Sequence, residues 1–219
     1  INDTIQMVIA LNNQGTNFRR LSAMKEASDY HFRALALCDA YSDTTTYIAK
    51  KNLVRTLNGL GNILMSLGNN EAAENAFRRA LDGEQKLGSA TGQAINLANI
   101  GSIKNHVGER DSARIYYNRS MEKNREDKNT VGISLCYTYL GNLDRDAGRM
   151  SEALENYRHA YTEGRKTDDV WHWLTPCISL AEIYVDYNAV DSAFYYINVG
   201  LDAARQIHSS EHLRDLYGL

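Results

Sequence analysis

The sequence predicts an all-α fold, a right-handed superhelical solenoid of antiparallel helix pairs with five repeats and the first helix of a sixth. Three observations predict it. Gly61, Gly101 and Gly141 stand 40 residues apart, with Ala181 in the fourth place. Ala73, Ala113, Ala153 and Ala193 keep that spacing twelve residues further on. Gly15 and Ala27 hold the twelve-residue offset one step earlier, 46 residues before their successors. Self-similarity at such a period marks stacked supersecondary units, each of which packs on its neighbours.

The first half of each unit reads as a helix. Leu57, Leu97, Tyr137 and Cys177 form one column, and Leu60, Ile100, Leu140 and Leu180 form another. With the small residue that follows, they make the i, i+3, i+4 stripe of a buried helix face. A turn comes next: Gly68, Gly108 and Gly148 repeat at 40 and Asn188 takes the fourth place. These residues tolerate the left-handed backbone that closes a helix. The second half carries Phe77, Tyr117, Tyr157 and Ile197, then Leu81, Met121, Tyr161 and Leu201 four residues later. That offset suits a helix and not a strand, whose side chains alternate. Between units, Gly88-Ser89, Lys128-Asn129, Asp168-Asp169 and Ser209-Ser210 supply polar N-caps.

Glycine inside a helix costs about 1 kcal/mol relative to alanine, so the glycine column predicts a close approach, with Gly61 facing Ala73. A third small column, Ala34, Ala80, Ser120, Ala160 and Gly200, is expected to meet the next unit. The repeats then run over 1–42, 43–88, 89–128, 129–168, 169–209 and a partial 210–219, as a single domain. Unit one fits worst. Gln14 and His31 stand where large apolar residues are expected, and six extra residues follow, so it reads as a terminal, partly capping unit. At Pro176 two readings stay open: Thr175 caps a helix starting at the proline, or a longer helix from Trp171 bends there.

Composition excludes some classes. A formal charge of −3 with acidic and basic residues mixed shows no basic stripe, so no nucleic-acid contact is expected of this region. No apolar run approaches the roughly 18 residues that span a bilayer, so no membrane contact is expected either. Cys136 and Cys177 fall in apolar columns, and with Cys38 they read as inert thiols. The chain opens at Ile1 without methionine and stops at Leu219, which suggests a piece of a longer protein. The compartment stays open: unpaired thiols favour the cytoplasm, and a removed export signal would place the chain in the periplasm.

Small residue, twelve-residue offset, alanine, bulky residue, small residue: this register resembles the tetratricopeptide repeat family. It reads LNGLGNILMSLGNNEAAENAFRRAL at 57–81 and YLGNLDRDAGRMSEALENYRHAY at 139–161. The segment KLGSATGQAINLANIG (86–101) resembles the long-helix subgroup of kinesin light chains, spindle-orientation scaffolds and bacterial peptide-pheromone receptors. The resemblance implies a concave face lined by first helices, on which an extended peptide lies. Carried over, that face holds Asn12, Thr16 and Arg19 in unit one and Arg55, Asn58, Asn62 and Met65 in unit two. Ile95, Asn99, Ser102 and His106 follow in unit three, and Leu135, Tyr139, Asn142 and Arg145 in unit four. Unit five adds Thr175, Ile178, Glu182 and Val185. Asparagine both donates and accepts, so Asn58, Asn62, Asn99 and Asn142 are candidates for a ladder along a peptide backbone. The chaperone-tail version of the family needs cations where Asn58, Leu135 and Tyr139 stand, so that specificity is not expected.

No phosphate loop, nucleophile motif or paired-carboxylate signature stands out, so neither an enzyme nor a cofactor is expected. His208 and His212 are four apart, but Ser209-Ser210 should break the helix between them. The Trp171-His172-Trp173 cluster reads as a packing surface rather than a stacking site. Tyr116-Tyr117 and Tyr195-Tyr196 should each put one ring inside and one on the convex side. The expected partner is a protein or peptide segment, with self-association through the terminal helix left open. The alternative is a sensor or regulatory segment of a multidomain, membrane-anchored bacterial signalling or transcription regulator.

Overall fold

The computed structural model describes residues 2–40 and 46–219. Among the described residues there are eleven helices and no strand. They are α1 (Asn2–Arg20), α2 (Met24–Ala40), α3 (Tyr47–Ser66), α4 (Asn70–Leu87), α5 (Ala90–His106), α6 (Arg110–Glu126), α7 (Thr130–Asp146), α8 (Met150–Gly164), α9 (Trp171–Asp186), α10 (Val190–Gln206) and α11 (Ser210–Tyr217). They form two compact units, Ile1–Lys123 and Asn124–Leu219. In the first, α1 packs on α2 and α3 on α4; in the second, α7 packs on α8 and α9 on α10, with α11 against α10. The insertion after the first repeat, and the repeat boundary placed at 42/43, involve residues 41–45, outside the described residues.

Each first helix closes through one left-handed residue. Gly68, Gly108 and Gly148 have φ of 76°, 86° and 75°, and Asn188 has 52°. Ser22, at 59°, takes the same place in the first hairpin. Between hairpins the N-caps form as their chemistry requires: Ser89 Oγ accepts from Gly92 N at 3.0 Å, and Asn129 Oδ1 accepts from Gly132 N at 3.2 Å. Before α9 the expected acidic cap does not form: Val170 precedes the helix without a side-chain cap, and Asp169 Oδ1 accepts from Trp171 N at 3.0 Å. Ser209 makes no such cap; its hydroxyl pairs with His212 Nδ1 at 2.6 Å instead.

The nearest side chain to each glycine of the column is an aromatic ring. A Cβ on Gly61, Gly101 or Gly141 would lie 2.7 Å from the ring of Phe77, Tyr117 or Tyr157 respectively. The ring sixteen residues on is packed against the glycine. Real Cβ atoms do not approach that closely, so the ring requires glycine there. Where the ring is replaced by Ile197, Ala181 stands in the glycine's place. The alanines Ala27, Ala73, Ala113 and Ala153 are fully buried, and Ala181 and Ala193 are buried as well.

Helix α9 starts at Trp171 and runs through Pro176. Proline has no N–H to give to the carbonyl four residues back. His172 O instead accepts from Ser134 Oγ at 3.2 Å, and the same hydroxyl reaches Ala160 O at 2.7 Å. Trp173 is buried under the Arg165 guanidinium, 4.6 Å from its ring centroid, whereas Trp171 is exposed and meets the edge of His212. Tyr117 is buried and Tyr196 half-buried on Tyr184, while Tyr116 and Tyr195 lie further out. Among the described residues no helix is long and apolar enough to cross a membrane.

Candidate functional site

In the first unit the first helices bring together a buried polar seam and, beside it, a row of polar side chains. Asn12 was expected on a solvent-facing surface; it is fully buried. It donates from Nδ2 to Thr56 Oγ1 at 2.8 Å, and its Oδ1 pairs with His31 Nδ1 at 3.0 Å. Thr56 passes its own proton to Asn52 O at 2.9 Å. A helix in this stack has a neighbouring first helix on its flank, and Asn12 points there. His31 is also buried, its ring packed between Gly15 and Gly59. Burial, then the charges of Arg19 and Arg55, push its pKa from 6.5 down to about 4, so the ring is neutral near pH 7.

Outside the seam lie Asn58, Asn62 and Met65 on α3 and Asn99 and Ser102 on α5, all half-buried, with His106 exposed at the end of α5. Among the described residues Asn58 Oδ1 is buried and has no hydrogen-bond partner. The same is true of Asn96 Oδ1, one repeat after Thr56 in register. Ser102 Oγ accepts from Tyr117 OH at 3.3 Å, so the ring that rests on Gly101 is tied at its far end. Arg55 reaches back to α1, where Nη2 donates to Asn13 Oδ1 at 2.8 Å.

In the second unit the corresponding side chains are engaged with one another. Asn142 Oδ1 accepts from Tyr157 OH at 2.6 Å. Arg145 Nη1 lies 2.7 Å from Glu182 Oε2, joining α7 to α9. Both ends of that pair are more than a third exposed, which limits it to about 1 kcal/mol or less. Tyr139 is half-buried, and burial raises its phenol. Ile178, expected on the first-helix face, is buried instead in the core formed with Trp173, Leu201 and Leu216. Cys136 and Cys177 are buried and Cys38 is half-buried; burial pushes the Cys177 thiol up to about 12.

The register missed the His31–Asn12–Thr56 seam. A signal was present: Gly59 is a glycine in a column otherwise filled by Asn99, Tyr139 and Ser179. A Cβ there would lie 2.3 Å from the His31 ring, so the odd glycine answers the odd histidine.

These hairpins, glycine-seated rings and left-handed closures define a helical-repeat scaffold. Residues 52–126 match the tetratricopeptide repeat family. The columns of that match continue beyond it in the sequence, at 141, 153 and 157 and at 181, 193 and 197. No curated protein sequence matches the chain. Solved structures share the fold at low identity. A Rap protein complexed with competence and sporulation factor superposes with a TM-score of 0.80 at 15% identity, over 96% of this chain and 57% of that one. The apo form of the quorum sensor NprR from B. thuringiensis gives 0.77 at 15%, over 98% and 58%. BtubC from P. vanneervenii gives 0.76 at 13%, over 95% and 84%. The chain thus spans less than two thirds of the Rap protein and of NprR.

Proposed function

We propose that this chain is a non-catalytic protein- or peptide-binding scaffold that takes an extended segment on the first-helix side. The observation that carries the reading is the row of half-buried amides Asn58, Asn62 and Asn99 along α3 and α5. Asparagines can pair with backbone whatever the peptide's side chains are. The second unit has less to offer, since Asn142, Arg145 and Glu182 already hold partners. The fold-level likeness to a Rap protein complexed with competence and sporulation factor supports the same reading.

Titration of a library of blocked extended peptides against the wild type and an Asn62→Ala, Asn99→Ala double variant tests it. Two lost neutral hydrogen bonds should weaken binding by about tenfold or more. Equal affinity for both proteins would refute the groove. A second reading, a sensing segment within a larger regulator, is favoured by the likeness to NprR, described as a quorum sensor. An output module elsewhere in the complete gene product would support it.

A further inference from the structure

Each hairpin carries a pair of residues twelve apart, one late on the first helix and one early on the second. In the first hairpin the pair is Phe18 and Tyr30, whose rings stack with centroids 5.2 Å apart. In the fifth it is Tyr184 and Tyr196, stacked at 5.6 Å. The fourth has Asp144 and Asn156, where Nδ2 of the asparagine donates to Asp144 Oδ2 at 2.9 Å. In the third, Tyr116 packs on the core around Ile100 and Ile103, and its hydroxyl accepts from Arg78 Nη2 at 2.8 Å. The second hairpin breaks the column. Its pair is Leu64 and Ala76, and a methyl group stands where the first, third and fifth hairpins have a phenol ring.

A groove of about 340 Å³ lies at that place, between α2, α3 and α4. Its size falls at the low end of the range for ligand clefts. Leu60 and Leu64 of α3 line it together with Phe32 and Leu35 of α2 and Ala72 and Ala76 of α4. Phe32 is 48% exposed. In register it stands where Arg78 holds Tyr116 and where Arg158 holds Tyr184. The first two second helices therefore lack both the ring and the guanidinium that meet at those other places. Across the groove, Arg79 of α4 lies 3.1 Å from Asp39 of α2, which ties the two walls. That pair neutralises Arg79 on the rim, where Glu71 adds a further carboxylate, so the rim is acidic on balance.

We propose that this groove takes an aromatic side chain of a partner protein segment, at a position flanked by basic residues. The ring lies on Leu64 and against Phe32, in the place that Tyr30, Tyr116 and Tyr196 hold in their own hairpins. An aromatic ring gains there both apolar burial and a ring-to-ring contact. A Lys or Arg beside it complements the acidic rim. The site goes beyond the peptide-binding reading above and is separate from it, since neither Asn62 nor Asn99 lines the groove.

The test titrates the whole chain with acetylated, amidated heptapeptides whose central residue is Tyr or Ala, flanked on both sides by Lys or by Glu. Methyl NMR of Leu60 and Leu64 reports where the ring binds. With Lys flanks, the Tyr peptide should bind about tenfold tighter than the Ala peptide and shift both leucines. Glu flanks should weaken the Tyr peptide about threefold, and 0.5 M salt should shrink that difference. Ala76→Tyr restores the missing ring from within, so the variant should keep the wild-type melting midpoint and lose the preference for Tyr over Ala. Phe32→Ser, at an exposed place, keeps the fold whatever becomes of the first variant and should reduce the preference at least threefold. The Asn62→Ala, Asn99→Ala variant should retain it in full, which separates this site from the first-helix row. Tyr and Ala peptides of equal affinity would overturn the proposal, and so would a preference that survives Phe32→Ser or is lost in the asparagine variant. Glu-flanked binding as tight as Lys-flanked binding would overturn the basic character assigned to the partner.

Discussion

The ring of His31 rests on Gly15 with the same sixteen-residue offset, and the same closeness, that seats Phe77 on Gly61. The first hairpin is therefore built like the others, with an imidazole in place of a benzene ring. What changes is the edge of the ring. Tyr117 and Tyr157 send a hydroxyl to Ser102 and Asn142 within their own hairpins. His31 bonds to Asn12, which continues the network into the next hairpin at Thr56.

That seating makes Gly141→Ala costly. The new methyl would meet the Tyr157 ring at 2.7 Å in a fully buried place, and overpacking of this kind costs about 1–3 kcal/mol. A denaturant midpoint should fall accordingly. Adding Tyr157→Ile should recover part of the loss, as the Ala181–Ile197 combination in the fifth repeat accommodates both. Additive losses in the double variant would contradict the seat. Ala153→Leu, at another fully buried position, should likewise lower the melting midpoint.

His31 gives the fold a pH dependence of definite sign. Its folded pKa of about 4 lies below the ordinary 6.5, so the unfolded chain takes up a proton first as pH falls. Stability is then fully present above pH 6.5, declines between 6.5 and 4, and levels below that, with a total on the order of 3 kcal/mol. His31→Phe should flatten that limb relative to wild type. Urea midpoints at pH 7, 5.5 and 4.5 measure it, and parallel curves for the two proteins would contradict the assignment.

Ser134 holds two carbonyls with one hydroxyl. Ser134→Ala leaves His172 O and Ala160 O without it, at a cost of about 1–3 kcal/mol. Restoring an N–H with Pro176→Ala should make the serine matter less. A double-mutant cycle on thermal unfolding reads the coupling, and strict additivity would show that the serine does not serve the proline.

Thiol labelling should follow burial. Cys177, raised to about 12 and buried, and Cys136, also buried, should resist an aromatic disulfide reagent at pH 8 until the protein unfolds. Cys38 is half-buried and should react first, though slowly, because burial raises its thiol too. Rapid labelling of Cys177 in the native protein would contradict the packing around Tyr196 and Trp173.

The hairpin architecture was legible because it rests on spacing. Gly68, Gly108, Gly148 and Asn188 keep step, and each takes the backbone its column predicts. The side of a helix that a polar residue faces was harder to read. A first helix has its own second helix and the first helices of neighbouring repeats around it, and periodicity does not separate a polar side chain aimed at a neighbour from one aimed at solvent. Asn12 and Asn58 share a column in register, yet one is fully bonded and the other keeps an orphaned oxygen. Partners from other helices decide the outcome: Thr56 and His31 for Asn12, none for Asn58 Oδ1.

Pro176 makes the opening turn of α9 depend on the hairpin before it. The opening turn of α9 cannot complete its own ladder, and the missing bond comes from a hydroxyl on α7. A chain emerging from synthesis makes α7 and α8 first, so the acceptor's partner is waiting when the proline-bearing stretch arrives. A fifth hairpin cut free from its predecessor would lack that support and should fray from its start.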